Sequence, residues 1–358
     1  MYSDDVLEIL WLRGFDNIKE SYGTKARVYS SVGIPGSGKS ALLESIATKS
    51  PKILDLYGSR DNEGLAWLRS PFGKSALLLT GNAVDVTCNC ADVMKVSEVK
   101  LKDFDRYKVM ISCASFYTNM DREYYSLGRL IRMFWRRTHW DEPWFLILRE
   151  AGNLLYSRMS LGDTQQLTKT QFIYVIRELR HSGISIGLDT LRWFAIDINI
   201  RHLSHYTFFK AQGVEGLPKD LNFLYRDVHP AGIRNMAVNK FLILTARGMY
   251  GTGRSKCPEW HKREREDLLT QFDIRCKYKV LPYEGDQAGM RVNDYEHVRI
   301  VKTKFEKKIG MEKLGQTLGR SSKTIHKHIH HHNNMVHALG ECDKCARVGS
   351  KLAKQAID

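Results

Sequence analysis

Residues 33–40 read Gly33-Ile34-Pro35-Gly36-Ser37-Gly38-Lys39-Ser40, which satisfies G-x-x-x-x-G-K-[ST] in full. Glycines at these places let successive backbone N–H groups turn inward and form a concave nest for a β-phosphate. A helix opening near Ser40 adds the positive end of its dipole. Lys39 can then reach the β- and γ-phosphates, and the Ser40 hydroxyl can ligate Mg²⁺. The expected nucleotide-binding set is Gly33, Gly36, Ser37, Gly38, Lys39 and Ser40. No N/T-K-x-D guanine motif is present, so ATP is expected rather than GTP.

Phosphoryl transfer also needs a carboxylate to hold the metal shell and another to polarise water, usually at the end of a buried strand. The apolar run 144–148 ends in Arg149-Glu150, so an arginine occupies the first acidic place. Glu150 is left to act on the metal or on water, its bland alternative being a helix-capping or salt-bridged carboxylate. Asp55 and Glu63 are fallback carboxylates.

These groups need a scaffold. Apolar, β-branched runs at 27–34, 52–57, 75–80, 107–116, 144–148, 184–190, 206–210 and 240–245 predict strands. Amphipathic stretches at 40–49, 121–137 and 168–181 predict helices between them. Such alternation implies an α/β fold with a parallel or mixed sheet flanked by helices. The chain of 358 residues, 43% hydrophobic, has room for one large α/β domain and a small appendage. It lacks an apolar run near the roughly 20 residues that span a bilayer, and its start lacks a secretory signal, so a cytoplasmic protein without membrane insertion is expected. Seven thinly spread cysteines suggest free thiols in a reducing compartment, with Cys342 and Cys345 the possible exception. A net charge of +15 points to a polyanionic partner.

The surplus concentrates late in the chain. Residues 299–332 carry nine Lys or Arg against two Glu. Leu314 and Leu318 share one helical face, Gly319 suits a left-handed turn, Ser321 or Ser322 can cap a second helix, and Ile325 and Ile329 face back. That is a helix-turn-helix pattern, all-α, with Arg320, Ser321, Lys323, Thr324 and Lys327 exposed toward DNA; a plain helical hairpin for subunit contact is the alternative. The expected division is a core at 1–285, a polar linker at 286–298, the helix-turn-helix at 299–335 and a tail at 336–358. In that tail Cys342-Asp343-Lys344-Cys345 follows a run of histidines. A structural Zn²⁺ on Cys342, Cys345 and two of His326, His328, His330, His331, His332 and His337 is chemically reasonable, but a single CxxC favours a solvated basic helix end with two unconnected thiols.

Arg180-His181-Ser182-Gly183, the strand ending in Asp189-Thr190-Leu191-Arg192, and Arg201 beyond it resemble the HerA–FtsK superfamily of ring-shaped DNA-pumping ATPases. The run Arg149-Glu150-Ala151-Gly152-Asn153 looks like an archaeal or archaeal-mobile-element branch. The resemblance spans roughly residues 25–250. It implies a RecA-like P-loop NTPase core, Asp189 and Thr190 as γ-phosphate sensors, and Arg192 and Arg201 as arginine fingers for a neighbouring subunit. The catalytic set is then Lys39, Glu150, Arg192 and Arg201, with Ser40 and Glu150 on Mg²⁺. The implied activity is DNA-stimulated ATP hydrolysis by a homo-oligomeric, hexameric translocase or packaging motor. An ATP-dependent DNA-binding regulator or partition-like switch is the alternative, and a secretion ATPase with protein cargo a third reading.

Overall fold

The computed structural model of the chain describes residues 2–3, 6–13, 26–58, 62–118, 120–137, 140–157, 163–179, 182–261, 267–278, 294–348 and 350–355. The chain divides into two compact units, Met1–Ser160 with Gln166–Lys279, and Leu161–Gln165 with Val280–Asp358.

The strands of the first unit are β1 (Tyr2–Ser3), β2 (Leu7–Arg13), β3 (Val28–Val32), β4 (Lys52–Gly58), β5 (Ala76–Thr80), β6 (Val84–Thr87) and β7 (Asp92–Lys95). They continue as β8 (Val109–Cys113), β9 (Trp144–Leu148), β10 (Ile184–Thr190), β11 (Tyr206–Phe209), β12 (Lys240–Thr245), β13 (Tyr250–Ser255) and β14 (Arg275–Tyr278). The helices are α1 (Lys39–Ala47), α2 (Leu101–Arg106), α3 (Met120–Arg136), α4 (Ala151–Leu154), α5 (Asp163–Leu179, counted with this unit from Gln166 on), α6 (Ile198–Leu203), α7 (Pro230–Arg234) and α8 (Leu268–Gln271).

Twelve strands form one sheet in the order β1-β2-β13-β12-β11-β3-β10-β9-β4-β8-β5-β7. From β11 to β7 every neighbour pair is parallel. From β11 back to β1 every pair is antiparallel. All eight expected strands form, and all lie in this sheet. The central ones are buried at every position, as in β3, β8, β9 and β10, because a covered parallel sheet has no polar face and selects continuous apolar runs. Outside the expected set lie β1, β2 and β13 on the antiparallel side, β7 at the parallel edge, and β6 and β14, which pair in a separate two-stranded sheet.

One consequence of the order matters for chemistry. β10 lies between β3 and β9, with Asp189 level with Ser31 on one side and Leu188 level with Leu148 on the other. Residues leaving the carboxyl ends of β3, β10 and β9 therefore meet, which is where open α/β sheets bind ligands. Arg180 and His181 of the expected turn lie outside the described residues. Cys88 and Cys90, expected as free thiols, are joined by a disulfide. Among the described residues no helix is long and apolar enough to cross a membrane.

The second unit contains α9 (Asp294–Lys307), α10 (Met311–Leu318), α11 (Ser322–Leu339) and α12 (Asp343–Arg347). Ile300, Val301, Leu314, Leu318, Ile325 and Ile329 form its core. The expected linker at 286–298 is corrected by this unit: 286–293 lies outside the described residues, and 294–298 is the first turn of α9, held because Glu296 and His297 are buried together with Ile300 and Val301 at helical spacing. The helical module thus begins before residue 299. It also does not stop at 335, since α11 runs on to Leu339 and α12 packs back against α9.

Candidate active site

β3 delivers the loop 33–38, and α1 opens at Lys39. The Gly33 N–H donates to the Thr190 carbonyl at 3.1 Å and the Ile34 N–H to Ala211 at 2.9 Å, so two neighbouring strand ends pin the loop. Gly36 and Gly38 hold φ of +71° and +84°, which opens successive amides toward one side. At Gly38 a Cβ would lie 2.7 Å from the Val238 carbonyl oxygen, so the position excludes any side chain. Lys39 is buried, and its ammonium donates to the Ile34 carbonyl at 3.2 Å, folding it over the loop. The Ser37 Oγ is buried with no hydrogen-bond partner among the described residues. A cradle that excludes Cβ atoms, carries a buried cation and keeps an orphaned hydroxyl suits a polyphosphate.

The acidic side of the site is Asp189. Its Oδ2 accepts the Ser40 hydroxyl at 3.1 Å, and its Oδ1 accepts the Glu150 backbone N–H at 2.5 Å. Burial pushes this carboxyl up to about 6, with Arg149 drawing it back. Glu150 follows β9 with φ of +49°, a costly conformation for a residue with a Cβ. Ser40, Asp189 and Glu150 thus form one chain of contacts from the first turn of α1 to the ends of β10 and β9. Thr190 is buried beside it, and its hydroxyl turns to the Arg192 carbonyl at 3.2 Å.

Arg149 makes its hydrogen bonds to a separate set of carboxylates. It is 2% exposed and binds Asp55 through Nε at 2.8 Å and Nη2 at 2.6 Å, Glu44 at 2.6 Å and Glu63 at 3.1 Å. Asp55 also accepts the Trp67 indole N–H at 2.7 Å, and His261 reaches the other Glu44 oxygen at 2.8 Å. Burial alone would raise the Glu44 carboxyl, but Arg149 and His261 more than offset it and hold it low. Asp55 and Glu63, the expected fallback carboxylates, are therefore committed to Arg149, and the network ties α1 to β4 and β9.

The candidate arginines lie further out. Arg192 has a 70% exposed side chain paired with Glu215 at 2.7 Å. Arg201 lies over the Trp193 and Phe194 rings, its Nε buried with no hydrogen-bond partner among the described residues. Lys210 was missed by the sequence reading. It ends the apolar run of β11, is fully buried beside Gly33, donates to the Val238 carbonyl at 2.6 Å, and is lowered by burial to about 8. A lysine closing an otherwise apolar strand run was the available signal.

In the second unit Gly319 is left-handed at φ +67° and Ser321 accepts the Thr324 N–H at 3.1 Å, so α10 and α11 meet at the expected turn. Ser321, Lys323 and Lys327 are exposed and Thr324 half-buried. Arg320 is a correction. Expected at the surface, it has a side chain only 5% exposed and forms a two-pronged pair with Glu296, because α9 supplies the carboxylate that the expected linker could not. The tail is a second correction, since Cys342 and Cys345 are fully buried rather than solvated.

No family model and no curated protein matches this sequence. Among solved structures, the chain is similar to the genome packaging NTPase B204 from Sulfolobus turreted icosahedral virus 2 in complex with AMPPCP, at 12% identity and TM-score 0.40, over 65% of this chain and 99% of that one. It is similar to the cytoplasmic domain of the Thermomonospora curvata Type VII secretion ATPase EccC at 12% identity and TM-score 0.38, over 67% of this chain and 25% of that one. The pCW3 conjugation coupling protein TcpA, with ATPγS, is similar at 12% identity and TM-score 0.35, over 72% of this chain and 67% of that one.

Proposed function

We propose that this chain is an Mg²⁺-dependent ATPase that moves DNA, working as a hexameric ring with α10–α11 as its DNA-contacting element. The reading is carried by the contact chain Ser40–Asp189–Glu150 at the foot of the phosphate cradle. Ser40 and Asp189 offer the oxygen ligands that a hard cation takes, so they are assigned as its anchor. When bound, Mg²⁺ neutralises charge that builds on the phosphate oxygens. The loop amides, Lys39 and the helix dipole of α1 hold the triphosphate tail. Glu150 orients the attacking water and accepts its proton. Its backbone bond to Asp189 ties the base to the anchor, so the two groups are positioned together. Asp189 takes the place that Arg149 vacates on β9, and Thr190 steers Arg192 through its backbone.

Arg192 and Arg201 are assigned to the neighbouring subunit's site. Exposed Leu191, Phe194 and Ile198, 41%, 48% and 52% exposed, flank them and support a subunit contact there. The +15 charge and exposed Lys323 and Lys327 support DNA as the polymer.

The test is ATP hydrolysis with and without duplex DNA, read beside the native mass in ATP. Turnover should rise with DNA and with assembly, and fall about 10³–10⁵-fold when the finger arginine is removed. Lys39→Ala and Glu150→Gln should abolish it. Turnover indifferent to DNA, or intact in Lys39→Ala, would overturn the reading.

A further inference from the structure

His297 on α9, His332 on α11 and Cys342 and Cys345 at the start of α12 converge in the second unit. All four are fully buried, and one ligating atom from each lies within 4.8 Å of all the others. His297 Nε2 is 3.2 Å from the Cys342 Sγ, and His332 Nδ1 is 3.4 Å from the Cys345 Sγ. Tetrahedral zinc with Zn–N of about 2.0–2.1 Å and Zn–S of about 2.3 Å spaces its ligand atoms about 3.3–3.8 Å apart. Both cysteines are free thiols, so no disulfide competes.

Hydrogen bonds around the cluster already orient both imidazoles. His332 Nε2 lies 2.7 Å from the Gln355 carbonyl, which only accepts, so that nitrogen carries the proton and a neutral ring leaves Nδ1 bare toward the thiols. His297 Nδ1 meets His328 Nδ1 at 3.0 Å, leaving His297 Nε2 as its inward atom. Ligand histidines in zinc sites are held in this way by a partner on the far nitrogen. Two soft thiolates with two imidazoles select zinc over hard cations, and four protein ligands leave no open position for catalysis.

We propose that His297, His332, Cys342 and Cys345 bind one structural zinc ion that clamps α9, α11 and α12 together. The clamp makes physical sense here. The unit's aliphatic core is small, and small folds commonly add a metal or disulfide staple. It also fixes the helix that carries Lys323 and Lys327, though the site stands whether or not those residues meet DNA.

The test uses the full-length chain purified without chelator or affinity metal and dialysed against zinc chloride. Elemental analysis should give about one zinc per chain. Cys342→Ser, Cys345→Ser and His297→Ala should each lose it, while the exposed His330→Ala keeps it, and His328→Ala should weaken zinc affinity about 10–100-fold. Should the cysteine variants fail to fold, cobalt loading of the unmodified chain decides. A tetrahedral visible spectrum with thiolate charge-transfer bands, and two sulfur scatterers in X-ray absorption, support the site. No bound metal, an octahedral spectrum, one sulfur scatterer as expected for the neighbouring group His331, Cys342 and Asp343, or full zinc in Cys345→Ser would each overturn it.

Discussion

Replacing Arg149 by methionine removes one cation from a pocket that holds two fully buried carboxylates. The Arg149 side chain is 1% exposed, Glu44 and Asp55 are 0% exposed, and Glu63 is 32% exposed. Their losses differ. Glu63 can turn to water. Glu44 keeps His261 at 2.8 Å, and Asp55 keeps the Trp67 N–H at 2.7 Å but loses every charged partner. One stranded buried charge is the relevant quantity, and breaking such a pair costs about 3–5 kcal/mol. At about 2–4 °C per kcal/mol for a unit of this size, the melting temperature should fall by roughly 6–20 °C. Circular-dichroism melts and urea titrations at neutral pH read the change. Adding Asp55→Asn should restore a measurable part of the loss, because the stranded charge goes. A melting temperature within about 2 °C of the parent protein would refute the assignment of Arg149 as a structural cation.

Gly38→Ala puts a methyl 2.7 Å from the Val238 carbonyl at a φ of +84°; fluorescent-nucleotide titration should show at least about a tenfold loss of affinity from roughly 1–2 kcal/mol of backbone strain plus the clash, and unchanged binding would count against the cradle. Glu123 on α3 is 5% exposed and burial raises its carboxyl from 4.5 to about 8. The folded state therefore keeps a proton that the unfolded state releases, so the stability contributed by Glu123 is fully present below about pH 4.5 and is lost as pH rises toward 8. Each tenfold difference in proton affinity is worth about 1.4 kcal/mol, so Glu123→Gln should remove a decline of roughly 3–5 kcal/mol, measured by urea unfolding across that window. Lys323→Ala with Lys327→Ala should lower the salt slope of DNA binding by about 1.8 and leave basal hydrolysis intact; an unchanged slope would remove these lysines from the interface.

Much of this was legible because local chemistry and tertiary position agree. The loop 33–40 demands glycines, a lysine and a serine wherever it occurs, and buried parallel strands demand uninterrupted apolar runs. What escaped the reading had its signal split across distance. β13 is Tyr-Gly-Thr-Gly-Arg-Ser, which lacks the apolar run that marks the other strands, yet Gly251 and Gly253 are there because Cβ atoms would sit 2.5 and 2.4 Å from carbonyls of β2. Arg320 and His297 were misread for one shared reason. Each takes its meaning from a contact with a helix that only folding brings near, Glu296 on α9 for the first and Cys342 for the second. A polar stretch of sequence looks like a linker until its polar groups are seen to be paired.

The departure at Arg149 follows from the strand order. Because β10 lies between β3 and β9, the carboxyl ends of either strand can approach the residue that opens α1. The carboxylate beside Ser40 is carried by β10, where Asp189 accepts the Ser40 hydroxyl. Once it does, an acid at 149 would add another negative group next to Asp55 and Glu44, two buried carboxylates already 0% exposed. An arginine there instead balances them, and its bonds lock α1 to β4. The two positions are thus coupled by charge. Arg149→Asp with Asp189→Asn, which moves the acid from the end of β10 to the residue after β9, should unfold the chain more readily than Arg149→Met. A doubly substituted chain that melts no lower than Arg149→Met would refute the repulsion expected between an acid at 149 and the buried Asp55 and Glu44.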